Sequence, residues 1–162
     1  MRITADIAVA APVESVWSVI ADPERVLSFM SGITRWEVAG DRQPGIGARY
    51  RMLFRIGAAE VGGLIEVVEF SEPFEFAWTS ITGLDQRGRW RLREIKGGRT
   101  RVELRLAYGV AGAGISGWLA ERIAAPSVSR HAQQSLRQLG RIVEQEQRRA
   151  RAARRRAAGA PG

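Results

Sequence analysis

The chain has 162 residues, one domain's length and enough to bury a core without disulfides or bound metal. It has no cysteine and a single histidine, His131, which excludes disulfide frameworks, thiolate zinc sites, iron–sulfur clusters, cysteine nucleophiles and multi-histidine metal sites. Its 25 basic and 17 acidic residues give +8, a balance that taken whole invites a nucleic-acid or acidic-membrane partner.

Residues 2–10 alternate as a first strand, and Ala11-Pro12 supplies a proline suited to a helix start. Val13, Val16, Trp17 and Ile20 follow at helical spacing and predict a short amphipathic helix. Asp22-Pro23 repeats the device, opening a second short helix with Val26, Leu27 and Met30 on one side. From Ile33 the period becomes two. Trp36 and Val38 share a face in 33–39, Pro44-Gly45-Ile46-Gly47 marks a turn, and Tyr50, Met52 and Phe54 alternate with Arg49, Arg51 and Arg55. Segment 60–70 has two readings: Leu64, Val68 and Phe70 define one inner face, Val61, Ile65 and Val67 the other. After the Ser71-Glu72-Pro73 turn, Phe74, Phe76 and Trp78 alternate through 74–80. In 87–94, Trp90 and Leu92 oppose Arg89, Arg91 and Arg93. Past Lys96-Gly97-Gly98, Val102, Leu104, Leu106 and Tyr108 oppose Arg101, Glu103 and Arg105.

Short glycine- and proline-containing turns link these strands, which therefore form an antiparallel meander with one wet and one buried face. The glycines of 109–117 let the chain swing into a long helix, where Trp118, Leu119, Ile123, Val128, Ala132, Leu136, Leu139 and Val143 make one apolar stripe. Pro126 predicts a kink or break near Ala125. A helix with one apolar stripe, following a curved sheet with one apolar face, packs across that sheet. Residues 148–162, RRARAARRRAAGAPG, hold six arginines and no acid, so the remaining 19 basic side chains of residues 1–147 against 17 acids leave +2. That tail has no apolar side chain larger than alanine to offset its ordering entropy, and is expected to be frayed or disordered beyond a domain of residues 1–147. With neither a secretory signal nor an apolar run of roughly 18 residues, the protein is expected to be soluble and cytoplasmic.

Strand, two short helices, six-stranded meander and long C-terminal helix is the element order of the START-like, or birch-pollen-allergen-like, helix-grip fold. The residues that carry the resemblance are IAVAAPVESVWSVIADPERV near the start, PGIGARYRM, VVEFSEPFEFAW and GGRTRVELRLAY. Together they resemble the polyketide cyclase/dehydrase and lipid-transport branch of that superfamily over residues 3–146. The resemblance implies an α+β fold, a curved antiparallel seven-stranded sheet wrapped around the C-terminal helix, with two short helices between strands 1 and 2. It implies a hydrophobic small molecule (a lipid, polyketide or isoprenoid) bound between sheet and helix, and only some members are enzymes, performing cyclisation or dehydration.

A curved sheet gripped by one helix leaves space that side chains need not fill, and ligand pockets are typically apolar with few polar groups. The residues expected to wall it are Trp36, Tyr50, Met52, Phe54, Phe76, Trp78, Trp90, Leu92, Leu104, Tyr108 and Leu136, with Trp118 near the entrance. The alternative is that the aromatics simply fill the core. His131 and Glu66 are the acid–base candidates, His131 on the flank of the helical stripe and Glu66 only if Leu64, Val68 and Phe70 point inward. On the other register Glu66 is a surface charge beside arginines. No catalytic constellation follows, since GIGARY lacks the setting of a dinucleotide fingerprint and Ser127 and Ser129 lack a nucleophile elbow. Neither cofactor nor metal is called for. As a nucleic-acid surface the strand arginines are weak, because no exposed aromatic platform accompanies them. The tail has three readings: a solubilising end, a weak tether of a lipid carrier or partner-binding module to anionic membrane, or a nonspecific nucleic-acid binder.

Overall fold

The computed structural model of the protein describes residues 1–40, 44–109 and 114–159, with side chains described outside 114–124. Strand β1 (Arg2–Val9) leads into helix α1 (Val13–Ile20), a 3-10 turn (Pro23–Arg25) and helix α2 (Val26–Phe29). Then come β2 (Ile33–Ala39), β3 (Arg49–Ile56), β4 (Ala59–Ser71), β5 (Glu75–Gly83), β6 (Asp85–Ile95), β7 (Arg99–Gly109) and helix α3 (Gly114–Ala158). The strands make one antiparallel sheet ordered β1-β7-β6-β5-β4-β3-β2. Strands β1 and β2 are its two edges, so the chain crosses from one edge to the other through α1 and α2. The sheet wraps around α3 with the short helices closing one end.

Local chemistry explains the elements. The Asp22 carboxylate accepts the Glu24 N–H at 2.9 Å, satisfying a donor that the start of the 3-10 turn leaves free. Alternation puts Val102 and Leu104 of β7 and Trp90 and Leu92 of β6 inside, against Val128, Ala132, Leu136, Leu139 and Val143 of α3. Fully burying a side chain of this size contributes about 1.5–3 kcal/mol. Thr100 is buried in this layer without penalty because its hydroxyl donates to the Ala11 carbonyl at 2.8 Å, tying β7 to the entry of α1.

Strand β4 takes the face of Val61, Ile65 and Val67, and a bulge reconciles the two readings of its sequence. Pairing with β5 shifts between Val67 and Glu69, so Val68 turns out to solvent while Phe70 returns to the core and meets Trp17 edge-on at 5.0 Å. Three apolar residues depart from the expected pattern. Val38 is on the correct face but sits on edge strand β2 and is 57% exposed; Leu27 and Phe74 are also exposed, and Phe29 takes the inward place in α2. Helix α3 is helical on both sides of Pro126: the missing N–H removes one hydrogen bond without ending the helix. It continues through the arginine run to Ala158, with every residue from 148 exposed. Among the described residues, no helix is long and apolar enough to cross a membrane.

Candidate functional site

The curl of the sheet leaves a cavity of about 70 Å³ between β2–β7, the short helices and α3. It runs from Phe29, Met30 and Val128 to the far ends of the β3–β4 and β5–β6 hairpins, where Ile56, Val61 and Leu84 line it. Of the residues expected from the sequence, it brings together Trp36, Met52, Phe54, Phe76, Trp78, Trp90 and Tyr108. Tyr50, Leu92, Leu104 and Leu136 lie in the packed core beside it. Trp118 lies outside the residues whose side chains are described. The short helices add Ile20, Val26, Phe29 and Met30, and β6 adds Gln86. Periodicity marked α1 and α2 as amphipathic but carried no sign that their apolar sides meet the strands across a gap.

The aromatic wall is held by specific packing. Trp36 stacks on Tyr50 across β2 and β3 at 4.7 Å, and burial pushes the Tyr50 hydroxyl above its ordinary pKa, keeping it a neutral phenol. Trp78 lies over Gly88, where a Cβ would fall 1.9 Å from the indole Cζ2, so only glycine at 88 admits this ring.

Two polar atoms in this wall are unsatisfied. The indole N–H groups of Trp36 and Trp78 are buried without a hydrogen-bond acceptor among the described residues. The side-chain amide of Gln86 donates only to the Met52 thioether, at 3.3 Å, a weak acceptor. Buried donors are ordinarily paired, so these two indoles stand out among the residues of the wall. Among the described residues its lining contains no histidine and no carboxylate; Arg87, at the margin, is its charged residue.

The two acid–base candidates fall elsewhere. Glu66 is on the outer face of the sheet, 2.7 Å from Arg49 across β3, because β4 takes the Ile65 and Val67 register. That corrects its place among the catalytic candidates. His131 stands behind Phe54, edge to face at 5.3 Å, with Nδ1 2.8 Å from the Ser31 hydroxyl. Ser135, one turn on, accepts the Ser31 N–H and donates to the His131 carbonyl, both at 2.8 Å. Gly32, with φ of +86°, lets the chain pass so close that a Cβ would sit 2.9 Å from His131 Cγ. The histidine therefore clasps the α2–β2 turn to α3. Burial, then the charge of Arg130, lowers its pKa.

A curled antiparallel sheet gripping a helix around an apolar cavity defines a START-like protein. The profile described as polyketide cyclase / dehydrase and lipid transport matches residues 1–144, and the chain belongs to that family. No curated protein matches it in sequence. Among solved structures, a Thermus thermophilus protein is 23% identical, with TM-score 0.75 over 88% of this chain and 97% of its own. Zhui aromatase/cyclase from a Streptomyces species is 20% identical, with TM-score 0.75 over 94% and 97%. A START superfamily protein from Mycobacterium smegmatis is 17% identical, with TM-score 0.68 over 89% and 97%. At these identities the likeness is one of fold.

Proposed function

We propose that the protein binds a hydrophobic small molecule carrying oxygen acceptors, with the apolar walls taking its body and the indole N–H groups its carbonyl or hydroxyl oxygens. The observation that carries this is the pair of unpartnered donors on Trp36 and Trp78, two residues that line a largely apolar cavity. A pure hydrocarbon leaves both donors as unmet as they are in the free protein, whereas an acceptor oxygen recovers about 1–3 kcal/mol at each one it reaches. An oxygenated aromatic, such as a polyketide, meets them. The free space is well below the roughly 300–1,000 Å³ of pockets that bury a drug-sized ligand. Entry of a multi-ring molecule therefore moves side chains, and Met30 and Met52, with several low-energy rotamers, are suited to yield. If the family's cyclase or dehydrase chemistry operates here, the cavity acts by holding a flexible chain in a reactive fold, since its described lining brings no carboxylate or histidine.

The test is a titration with a hydroxylated polycyclic aromatic ketone and with the hydrocarbon of the same shape, followed by tryptophan fluorescence and native mass spectrometry. The ketone is expected to bind about tenfold or more tightly, equivalent to one hydrogen bond of about 1.4 kcal/mol. Trp78→Phe is expected to remove most of that preference. Equal binding of the two molecules, or of neither, overturns the proposal.

A second reading, a carrier tethered to anionic membrane, is favoured by the arginines of α3. Arg130, Arg137, Arg141, Arg148, Arg151 and Arg155 are all exposed, and at 3.6 residues per turn they fall within about a quarter of the circumference, opposite the buried stripe. Glu144 falls in the same sector, but its carboxylate accepts the Ala10 N–H. Such a stripe is about 38 Å long and suits a flat anionic surface. Deleting residues 148–162 is expected to abolish sedimentation with anionic vesicles while sparing ketone uptake; unchanged sedimentation rules the tether out.

A further inference from the structure

The outer face of the sheet carries a second concavity, a groove of about 740 Å³ over β5, β6, β7 and β1. Its wall includes Arg2, Arg87, Arg89, Arg91 and Arg105 together with Thr4 and Thr79, and its described lining contains no carboxylate. The register explains the concavity. Ala107 of β7 pairs with Arg2 of β1 on one side and Arg87 of β6 on the other, and one row along Arg105 pairs with Arg89. Ala107 is thus the short side chain at the centre of four arginines. With strands about 4.8 Å apart, the α-carbons of Arg2 and Arg87 are about 10 Å apart across it, within mutual reach of two arginine side chains converging on one group.

The four charges are not equally balanced. Arg89 is held by Glu69 at 2.7 Å and Glu75 at 3.0 Å, and Arg105 by Glu103 at 2.8 Å. These acids relieve the repulsion of two like charges placed directly opposite on neighbouring strands. Arg2 and Arg87 have no carboxylate partner among the described residues, and Asp85, two residues from Arg87 on β6, makes no ion pair there. Two uncompensated guanidinium groups therefore flank an empty position above Ala107.

We propose that this socket binds a phosphate group. A phosphomonoester carries about −1.5 to −2 charge at neutral pH and presents three acceptor oxygens, enough to balance the charge of two free guanidinium groups and to give each an acceptor. A single carboxylate would balance only one of them. The groove lies on the opposite face of the same strands from the inner cavity, and Trp78, Arg87, Leu106 and Ala107 border both.

The full chain, isotopically labelled, is titrated with inorganic phosphate and with glycerol 3-phosphate against sodium chloride of equal ionic strength, and amide shifts are followed by NMR. A second arm measures sedimentation with phosphatidylcholine vesicles containing phosphatidic acid. Each arm compares the wild type with Ala107→Glu, which sets a carboxylate in the socket, and with the double variant Arg2→Gln/Arg87→Gln; Arg51→Gln on β3 is the control. Saturable shifts around Ala107 and Arg87, weakened about tenfold in both test variants and unchanged in the control, are the expected result, and the arm that responds names a soluble phosphate or a lipid headgroup as source. The result that overturns the proposal is the absence, in both arms, of any difference between wild type and the test variants, with all proteins folded by circular dichroism.

Discussion

Strands β5, β6 and β7 present two faces of opposite character. Inward they carry Phe76, Trp78, Trp90, Leu92, Val102 and Leu104, all buried. Outward they carry Glu75, Arg89, Arg91, Glu103 and Arg105, linked by ion pairs. Adjacent residues thus belong to different energetic regimes. A change inside alters packing, where stability is decided; a change outside alters a screened, hydrated charge pattern and leaves the fold standing.

The sharpest way to break this contrast is inside. Leu104→Ala, at a fully buried position, is expected to cost about 2–5 kcal/mol in denaturant unfolding. Gly88→Ala drives a methyl into the Trp78 indole and is expected to cost about 1–3 kcal/mol, with altered tryptophan fluorescence as the ring is displaced. Outside, Glu66→Gln removes the Arg49 partner and is expected to cost about 1 kcal/mol or less. An outer-face loss as large as that of Leu104→Ala would refute the division.

His131 lies between the regimes and gives the smallest effect. Because its folded-state pKa is below the ordinary value near 6.5, the unfolded chain binds the proton more readily. The two states are equally neutral well above that value, so stability is expected to fall as pH drops through about 6.5 and to level off below the folded-state pKa. As the chain's one histidine, its imidazole NMR signal reports this directly. His131→Gln should abolish the step; a step that survives the substitution belongs to another group.

Much of the fold is legible in the sequence because alternation alone marks which face of a strand is dry. Trp36, Tyr50, Met52, Trp90 and Leu104 all turn inward as their spacing requires. Strand β4 resisted because a bulge breaks its period: no count of alternate residues shows that Val67 and Phe70 both face in. The site was half legible. An inward aromatic can line a cavity, as Trp78 does, or pack solid, as Tyr50 does, and the spacing is the same.

The sequence by itself determined the order of elements, the inner face of most strands, and the concentration of excess charge in residues 148–162. These depend on local periodicity and composition, which neighbouring residues set. Only the tertiary structure decided that Trp36 and Trp78, with their unpartnered donors, line one cavity, that His131 closes on Ser31, and that four arginines surround Ala107. Each of these joins residues far apart in the chain, and the strand register and closure of the curl that bring them together are long-range properties.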